Sequence, residues 1–515
     1  MPRLRLTSTL SYTLVALSGG ALALAFPEPG LGPLAWIAIV PLLALGAGVR
    51  VARGVGLAFV FGLGFFGVLL YWISIIGILG WTVLVLLQAC FLGLFGGLWA
   101  LLSRIGSPAA RIGAAAGAWV VVEFVRSLVP VGGFTWGQLA QSQTEIDWLL
   151  PVAALGGGWL VAALVVALNA SLLESISGAR SRGRAALVPG LMLVGLLVVP
   201  RFVPANEATG ERLDVAIVQG NVPRDFTGSY YEKELEILGS HQRHTEQLGP
   251  TAPDLVIWPE SSVGMDLTAN DDAQGAVRAA AQAVTAPMIV GGNIDVGEDR
   301  YKVVAFHVDE SGEVADVYEK THLVPFGEYV PARSVFGWIP ALEQVPRDAI
   351  AADEPVVFEI DGGRVAPVIS FEGDFGSLVR RPIAEGGRLL VVATNTSTWE
   401  NSWASAQHVA FSQVRAVENG VWVAHAALSG ISAFVDPNGA IVESTPLWTA
   451  TTIQNEVRYA TGITLYARFG DWFAWLCALG VGAGLVVVFI RRRPPEPDAE
   501  TGALPRPSPV VSDRR

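Results

Sequence analysis

Cysteine, lysine and histidine are scarce in this chain. Of its 515 residues, two are cysteine and six histidine, and lysine occurs only as Lys233, Lys302 and Lys320. Cys90 and Cys477 both lie inside apolar runs, so the polar part of the chain has neither a disulfide framework nor a thiolate metal site. The histidines form no H-E-x-x-H pair, and His241 and His244 fall on a polar helical stretch where solvation is the expected state. No metal and no cofactor is therefore expected. Charge is thin as well: Asp, Glu, Lys and Arg make up 16% of the chain, against about a quarter in soluble domains. The net charge of -12 comes without a basic stripe, which excludes a nucleic-acid surface.

What is abundant is apolar surface. Hydrophobic residues reach 52%, enough to class the chain as a membrane protein on composition alone. Eight apolar stretches suit a bilayer, at residues 10–26, 34–49, 55–76, 78–102, 113–128, 149–172, 185–203 and 472–490, two of them short of the usual length of about 20 residues. Arginines orient them. Arg3/Arg5, Arg50/Arg53, Arg104/Arg111, Arg180/Arg182/Arg184 and Arg491/Arg492/Arg493 fall on alternate sides of successive spans, as cytoplasmic loops require. Both termini are thus expected in the cytoplasm, and the polar block before the last span outside it. A cleavable signal peptide at the start is disfavoured, because no small-residue cleavage site precedes Pro27 and a second apolar stretch follows at once. The expected layout is a transmembrane domain at 1–204, an extracytoplasmic domain at 205–470, an eighth helix at 471–491 and a disordered, Pro-rich cytoplasmic tail at 492–515. Within the spans, Trp119, Glu123 and Arg126 share one helical face, and Glu123 and Arg126 can pair there.

The pattern changes at Leu213. Short β-rich runs alternate with amphipathic stretches, with helices expected at 229–248, 273–283, 375–385 and 405–418. That alternation indicates an α/β domain with buried sheets, and about 260 residues suffice for a full core.

Three strand ends carry chemistry. Asp254-Leu255-Val256-Ile257-Trp258-Pro259-Glu260 is a buried strand ending in a carboxylate. Burial raises a carboxyl pKa toward that of a general base; the alternative role for Glu260 is a helix N-terminal acid. Val314 to Tyr318 leads into Lys320, followed by a loop stiffened by Pro325 and Pro331, with Glu328 eight residues on. A desolvated, aimed ammonium suits a developing oxyanion; the alternative is an exposed lysine paired with Glu319 or Glu328. Ala366-Pro367-Val368-Ile369-Ser370-Phe371-Glu372-Gly373 is a strand ending in a hydroxyl, then a carboxylate and a glycine. Such an elbow exposes its side chain and offers backbone N–H groups to an oxyanion.

A carboxylate, a lysine and a nucleophile position at successive strand ends resemble the nitrilase (carbon–nitrogen hydrolase) superfamily. The rest of the chain narrows the likeness. Gly62-Leu63-Gly64-Phe65-Phe66 with Tyr71-Trp72, Trp119…Glu123…Arg126, Gln219-Gly220-Asn221, Trp258-Pro259-Glu260-Ser261, the run from His322 to Pro331, and Tyr466-Ala467-Arg468-Phe469-Gly470-Asp471-Trp472 resemble the apolipoprotein N-acyltransferase family. That resemblance implies eight transmembrane helices carrying an extracytoplasmic nitrilase-like αββα sandwich. It also implies an acyl chain moved through an acyl-enzyme from a membrane phospholipid to the amine of a diacylglyceryl-cysteine apolipoprotein, at a bacterial cell membrane. By motif, Glu260 is the general base, Lys320 the oxyanion stabiliser and Ser370 the nucleophile. Glu328 and Glu372 support them, and Gln407, His408, Arg415 and Glu418 lie near the site. The chain departs from the family at Ser370, where the family has cysteine; at Phe371, usually tyrosine; and over Asn395-Thr396-Ser397-Thr398, where an acid and an aromatic are replaced. Two alternatives accompany this: a non-catalytic member binding lipid, lipoprotein or an envelope enzyme such as a polyprenol-phosphate mannosyltransferase, and a small-amide hydrolase.

Overall fold

The computed structural model of the chain describes residues 7–179, 187–249, 251 and 253–490. The arginines at 3, 5, 180, 182, 184 and 491–493, and the tail at 492–515, lie outside the described residues. Among those described, five helices are long and apolar enough to cross a membrane: Val51–Leu69, Ile78–Leu102, Pro108–Arg126, Leu150–Ser177 and Trp472–Ile490. Shorter apolar helices cover Gly32–Gly46 and Pro189–Phe202, and Ser8–Ala23 is helical from a Thr7 cap.

The expected Glu123–Arg126 pair does not form. Glu123 Oε1 instead accepts Trp119 Nε1 at 2.8 Å and the Leu139 amide at 3.0 Å. Arg126 donates to the carbonyls of Phe134 and Trp136 at 3.0 and 2.6 Å, and reaches Gln88 at 3.3 Å. Each charge has been captured by backbone of the following loop, whose unpaired amides and carbonyls need partners at membrane depth.

The described residues of the polar block form thirteen strands: β1 (Arg212–Gln219), β2 (Leu255–Asp266), β3 (Met288–Val296), β4 (Arg300–Val308), β5 (Val314–Glu319), β6 (Asp348–Ala349), β7 (Phe358–Ile360), β8 (Gly363–Ile369), β9 (Leu389–Thr394), β10 (Trp422–Ala427), β11 (Ala433–Val435), β12 (Ile441–Ser444) and β13 (Thr451–Arg458). They make two sheets, ordered β13-β1-β2-β3-β4-β5 with β6 beside β4, and β12-β11-β10-β9-β8-β7. The centre of each sheet is parallel, so its strands are apolar on both faces. Val215 and Ile217 of β1 meet Ile369, Leu389 and Val391 between the sheets. Ala216 and Val218 turn outward onto the helices Tyr230–Glu246 and Asp271–Val284. Val368, Leu390 and Val392 turn outward onto Gly376–Ala384 and Ala404–Asn419. The result is an αββα sandwich. Strand β13 is an edge strand of mostly polar residues, held by its register on β1 rather than by an apolar pattern of its own.

His241 corrects another expectation. It is fully buried, takes the Gly220 amide at 3.1 Å on Nε2, and burial pushes its pKa down to about 4. It braces the end of β1 as a neutral ring rather than facing water.

The helix Ala404–Asn419 explains how the sandwich sits on the membrane helices. Val409 and Ala416 face the sheet, while Ala404, Phe411, Val414 and Val417 join the core of the membrane bundle. Trp136 Nε1 donates to Gln407 at 2.7 Å. Glu418 accepts the Gly158 amide at 2.7 Å, where the helix Ala153–Ala179 is interrupted by non-helical Gly156 and Gly157. Gly157 has φ +70°, and a Cβ there would lie 2.6 Å from the Tyr466 ring. Gly157→Ala is therefore expected to destabilise the junction by about 1–3 kcal/mol, seen as a lower unfolding temperature of the detergent-solubilised protein.

Candidate active site

The segments carrying Glu260, Lys320 and Ser370 are brought together by hydrogen bonds rather than by sequence proximity. Glu260 is not a helix N-terminal acid: it lies within β2, which continues to Asp266. The backbone turns sharply there, with Ser261 at φ +61°. The neighbouring β3 comes so close that a Cβ at Gly291 would stand 2.7 Å from Glu260 Cα, so only glycine allows that approach.

Lys320 is completely buried and takes two carboxylates. Its Nζ donates to Glu260 Oε1 at 3.1 Å and to Glu328 Oε1 at 2.5 Å; Glu319 pairs instead with Lys302 at 2.8 Å. The second oxygens are also engaged: Glu260 Oε2 accepts the Asn395 amide at 2.8 Å, and Glu328 Oε2 the Val324 amide at 2.7 Å. The loop after Lys320 thus closes on itself through Glu328. Burial, the largest influence, pushes the Glu260 pKa up; Lys320 pulls it down and the like charge of Glu328 adds to the rise. For Lys320, burial opposes the charged form but the carboxylates of Glu260 and Glu328 outweigh it, and its pKa is raised. With two acids around one ammonium, Glu260 is the group poised to exchange a proton.

Glu372 acts as a clasp. Its Oε1 accepts the Thr321 amide and hydroxyl at 2.7 and 2.6 Å and the His322 amide at 3.1 Å. Its Oε2 accepts the Tyr318 hydroxyl at 2.7 Å and the Ile369 amide at 2.8 Å. The lysine loop and the serine elbow are therefore locked together from either side of one carboxylate.

Ser370 opens a tight turn, Ser370–Asp374, at the end of β8. Its φ of +50° is a strained, left-handed conformation for a non-glycine residue. Its Oγ accepts the Thr394 hydroxyl at 3.1 Å from the end of β9. The next residue, Asn395, donates its amide to Glu260. Thr394 and that amide were not legible beforehand, since nothing but their place at a strand end marks them. Asp374, four residues beyond Ser370, lies 3.2 Å from His408 Nε2 in a fully buried contact.

The site lies against the membrane helices. Trp399 packs on Trp72 at 4.9 Å between ring centroids, and Trp403 on Tyr71 at 5.1 Å. Trp399 follows directly on the segment that departs from the family, so an aromatic is still supplied, one position later. The His322 ring stacks on Phe371 at 5.6 Å, so the phenylalanine in the tyrosine position serves as a wall.

Two family models match the chain. Residues 18–171 match the family described as Apolipoprotein N-acyltransferase N-terminal domain, and residues 214–465 match Carbon-nitrogen hydrolase. An apolipoprotein N-acyltransferase of Geobacter metallireducens is 32% identical over 93% of this chain and 96% of its own length. That of Gloeobacter violaceus is 30% identical over 93% and 94%. Among solved structures, a mutant of a nitrilase-superfamily amidase from Nesterenkonia sp. AN1 is 18% identical, with a TM-score of 0.40, over 53% of this chain and 98% of that one.

Proposed function

Because the chain belongs to the apolipoprotein N-acyltransferase family, we propose that it N-acylates lipoproteins with a phospholipid acyl donor through an ester on Ser370. The observation that carries this reading is the buried Glu260–Lys320–Glu328 cluster, bridged to the Ser370 elbow by Glu372 and by the Thr394-Asn395 step. Glu260 accepts the serine proton as Oγ attacks the phospholipid ester, and returns it to the departing lysophospholipid oxygen. Lys320 faces the negative charge of the tetrahedral intermediate, and Glu328 holds the ammonium in place. In the second half the lipoprotein amine attacks the ester, Glu260 takes its proton, and Ser370 leaves.

The layout that goes with this chemistry is an eight-span membrane protein of a bacterial cell membrane, with both termini cytoplasmic. Its transmembrane part is 1–204 and 471–491, and its catalytic domain, 205–470, lies outside. The arginine alternation and the apolar helices support that layout. Diacylated apolipoprotein and phospholipid are the partners; a mannosyltransferase partner is without support, and the proposal does without one.

Incubating the purified protein with phospholipid and weighing it intact is expected to show an added acyl mass that maps to Ser370. Ser370→Ala should show none and should transfer no label to a diacylated lipopeptide. An unmodified wild-type protein that still binds phospholipid would favour the lipid-binding alternative.

A further inference from the structure

We propose that Thr394 is a second catalytic hydroxyl, donating a hydrogen bond to Ser370 Oγ so that an oxygen can do what the family's sulfur does. The proposal rests on the reading of Ser370 as nucleophile. It adds a residue to which neither the family resemblance nor the motifs assign a role.

Three features of the geometry carry it. Thr394 Oγ1 donates to Ser370 Oγ at 3.1 Å, with Thr394 completely buried, so the Ser370 proton stays free for a base. The hydroxyl is fixed from both sides of its own backbone. Its carbonyl accepts the Leu428 amide at 3.0 Å, and the adjacent Asn395 amide donates to Glu260 Oε2 at 2.8 Å. Residues 391–393 of β9 are apolar and buried, so the strand changes character at the position that meets the nucleophile.

The chemistry explains why a serine site would need this donor. A thiol has a pKa of about 8.5 and leaves readily as thiolate, whereas an alkoxide is a poor leaving group. In the first step the Ser370 Oγ–acyl carbon bond forms and the phospholipid C–O bond breaks. The serine proton passes to Glu260 and then to the lysophospholipid oxygen. In the second step the amine nitrogen–acyl carbon bond forms and the Ser370 O–C bond breaks, with the amine proton passing through Glu260 to Ser370 Oγ. Negative charge grows on Oγ as that bond breaks. A preorganised donor on that atom acts where the ester would otherwise stall. Hence Thr394 should matter most for release of the acyl group, and less when sulfur replaces oxygen.

The test is a pair of Thr394 variants in two backgrounds, using the full-length protein in detergent. Thr394→Val, nearly isosteric, is expected to slow transfer from the acyl-enzyme to a diacylated lipopeptide by about 10- to 100-fold. Acyl-Ser370 should then accumulate, as read by intact mass. Thr394→Ser should restore release. In the Ser370→Cys background, Thr394→Val should slow transfer at least severalfold less than it does beside serine. Equal losses in both backgrounds, or loss of acylation without accumulation of acyl-enzyme, would overturn the assignment in favour of packing. An acyl adduct surviving in Ser370→Ala would instead overturn the nucleophile reading on which it rests.

Discussion

Glu260→Gln is expected to lower lipopeptide acylation about a thousandfold, within the range by which a positioned general base accelerates proton transfer. Glutamine keeps the shape of the side chain, but it cannot take the serine proton. Its two ends also differ chemically, whereas both Glu260 oxygens accept, one from Lys320 and one from the Asn395 amide. One of those donors must then face an NH2 group. The fold is expected to lose about 1–3 kcal/mol, the cost of an unsatisfied buried donor, far less than the catalytic loss. The pH profile of the wild type tests the same assignment. The base works only when ionised and burial raises its pKa, so the rate should climb with pH through a limb lying above the ordinary carboxylate range. Release of labelled fatty acid onto lipopeptide across pH measures both. An acid limb at the usual carboxylate position, or a Gln variant within tenfold of wild type, would remove Glu260 from the role.

Lys320→Met should be the most damaging single change in the sandwich. It leaves Glu260 and Glu328 buried next to each other with no cation between them. Removing one partner of a buried ion pair costs about 3–5 kcal/mol, and the measurable outcome is a sharp fall in the unfolding temperature in detergent. Protonating a carboxyl relieves part of that strain, so in whatever fraction folds the Glu260 pKa rises further and the acid limb moves to still higher pH. Transfer itself should fall by about 10²–10³-fold through loss of the charge facing the oxyanion. Adding Glu328→Gln should recover stability, because it removes one of the repelling charges, yet not activity. A double variant no more stable than Lys320→Met would show that the three groups are not one electrostatic unit.

Glu260, Lys320 and Ser370 could be picked out as candidates from the chain because each follows a strand-like run, and strand ends are where an α/β sheet gathers its reacting groups. Their partners could not. Glu260 reads equally as a helix cap until Asn395, 135 residues later, is seen donating to it. Glu372 reads as one more acid until five donors, from β5 and the loop after it and from the end of β8, converge on it. His241 reads as a solvated residue because its neighbours in the chain are polar, while in space it lies beneath Gly220. Glu123 and Arg126 sit at pairing distance along a helix, but competing backbone donors and acceptors of the next loop claim both.

By itself, the order of amino acids determined that this is a membrane protein, that an α/β domain is inserted before its last apolar helix, and which polar side chains follow its apolar strand-like runs. Hydropathy and strand periodicity are properties of contiguous residues, so they survive without any knowledge of the fold. Only the tertiary structure decided which of those side chains meet, that Lys320 is shared by two carboxylates, and that Thr394 points at Ser370. Only the Ser370–Thr394 contact follows from strand pairing, of β8 with β9; the others bring together strands that are not neighbours in a sheet, and depend on which apolar faces pack together across the whole domain.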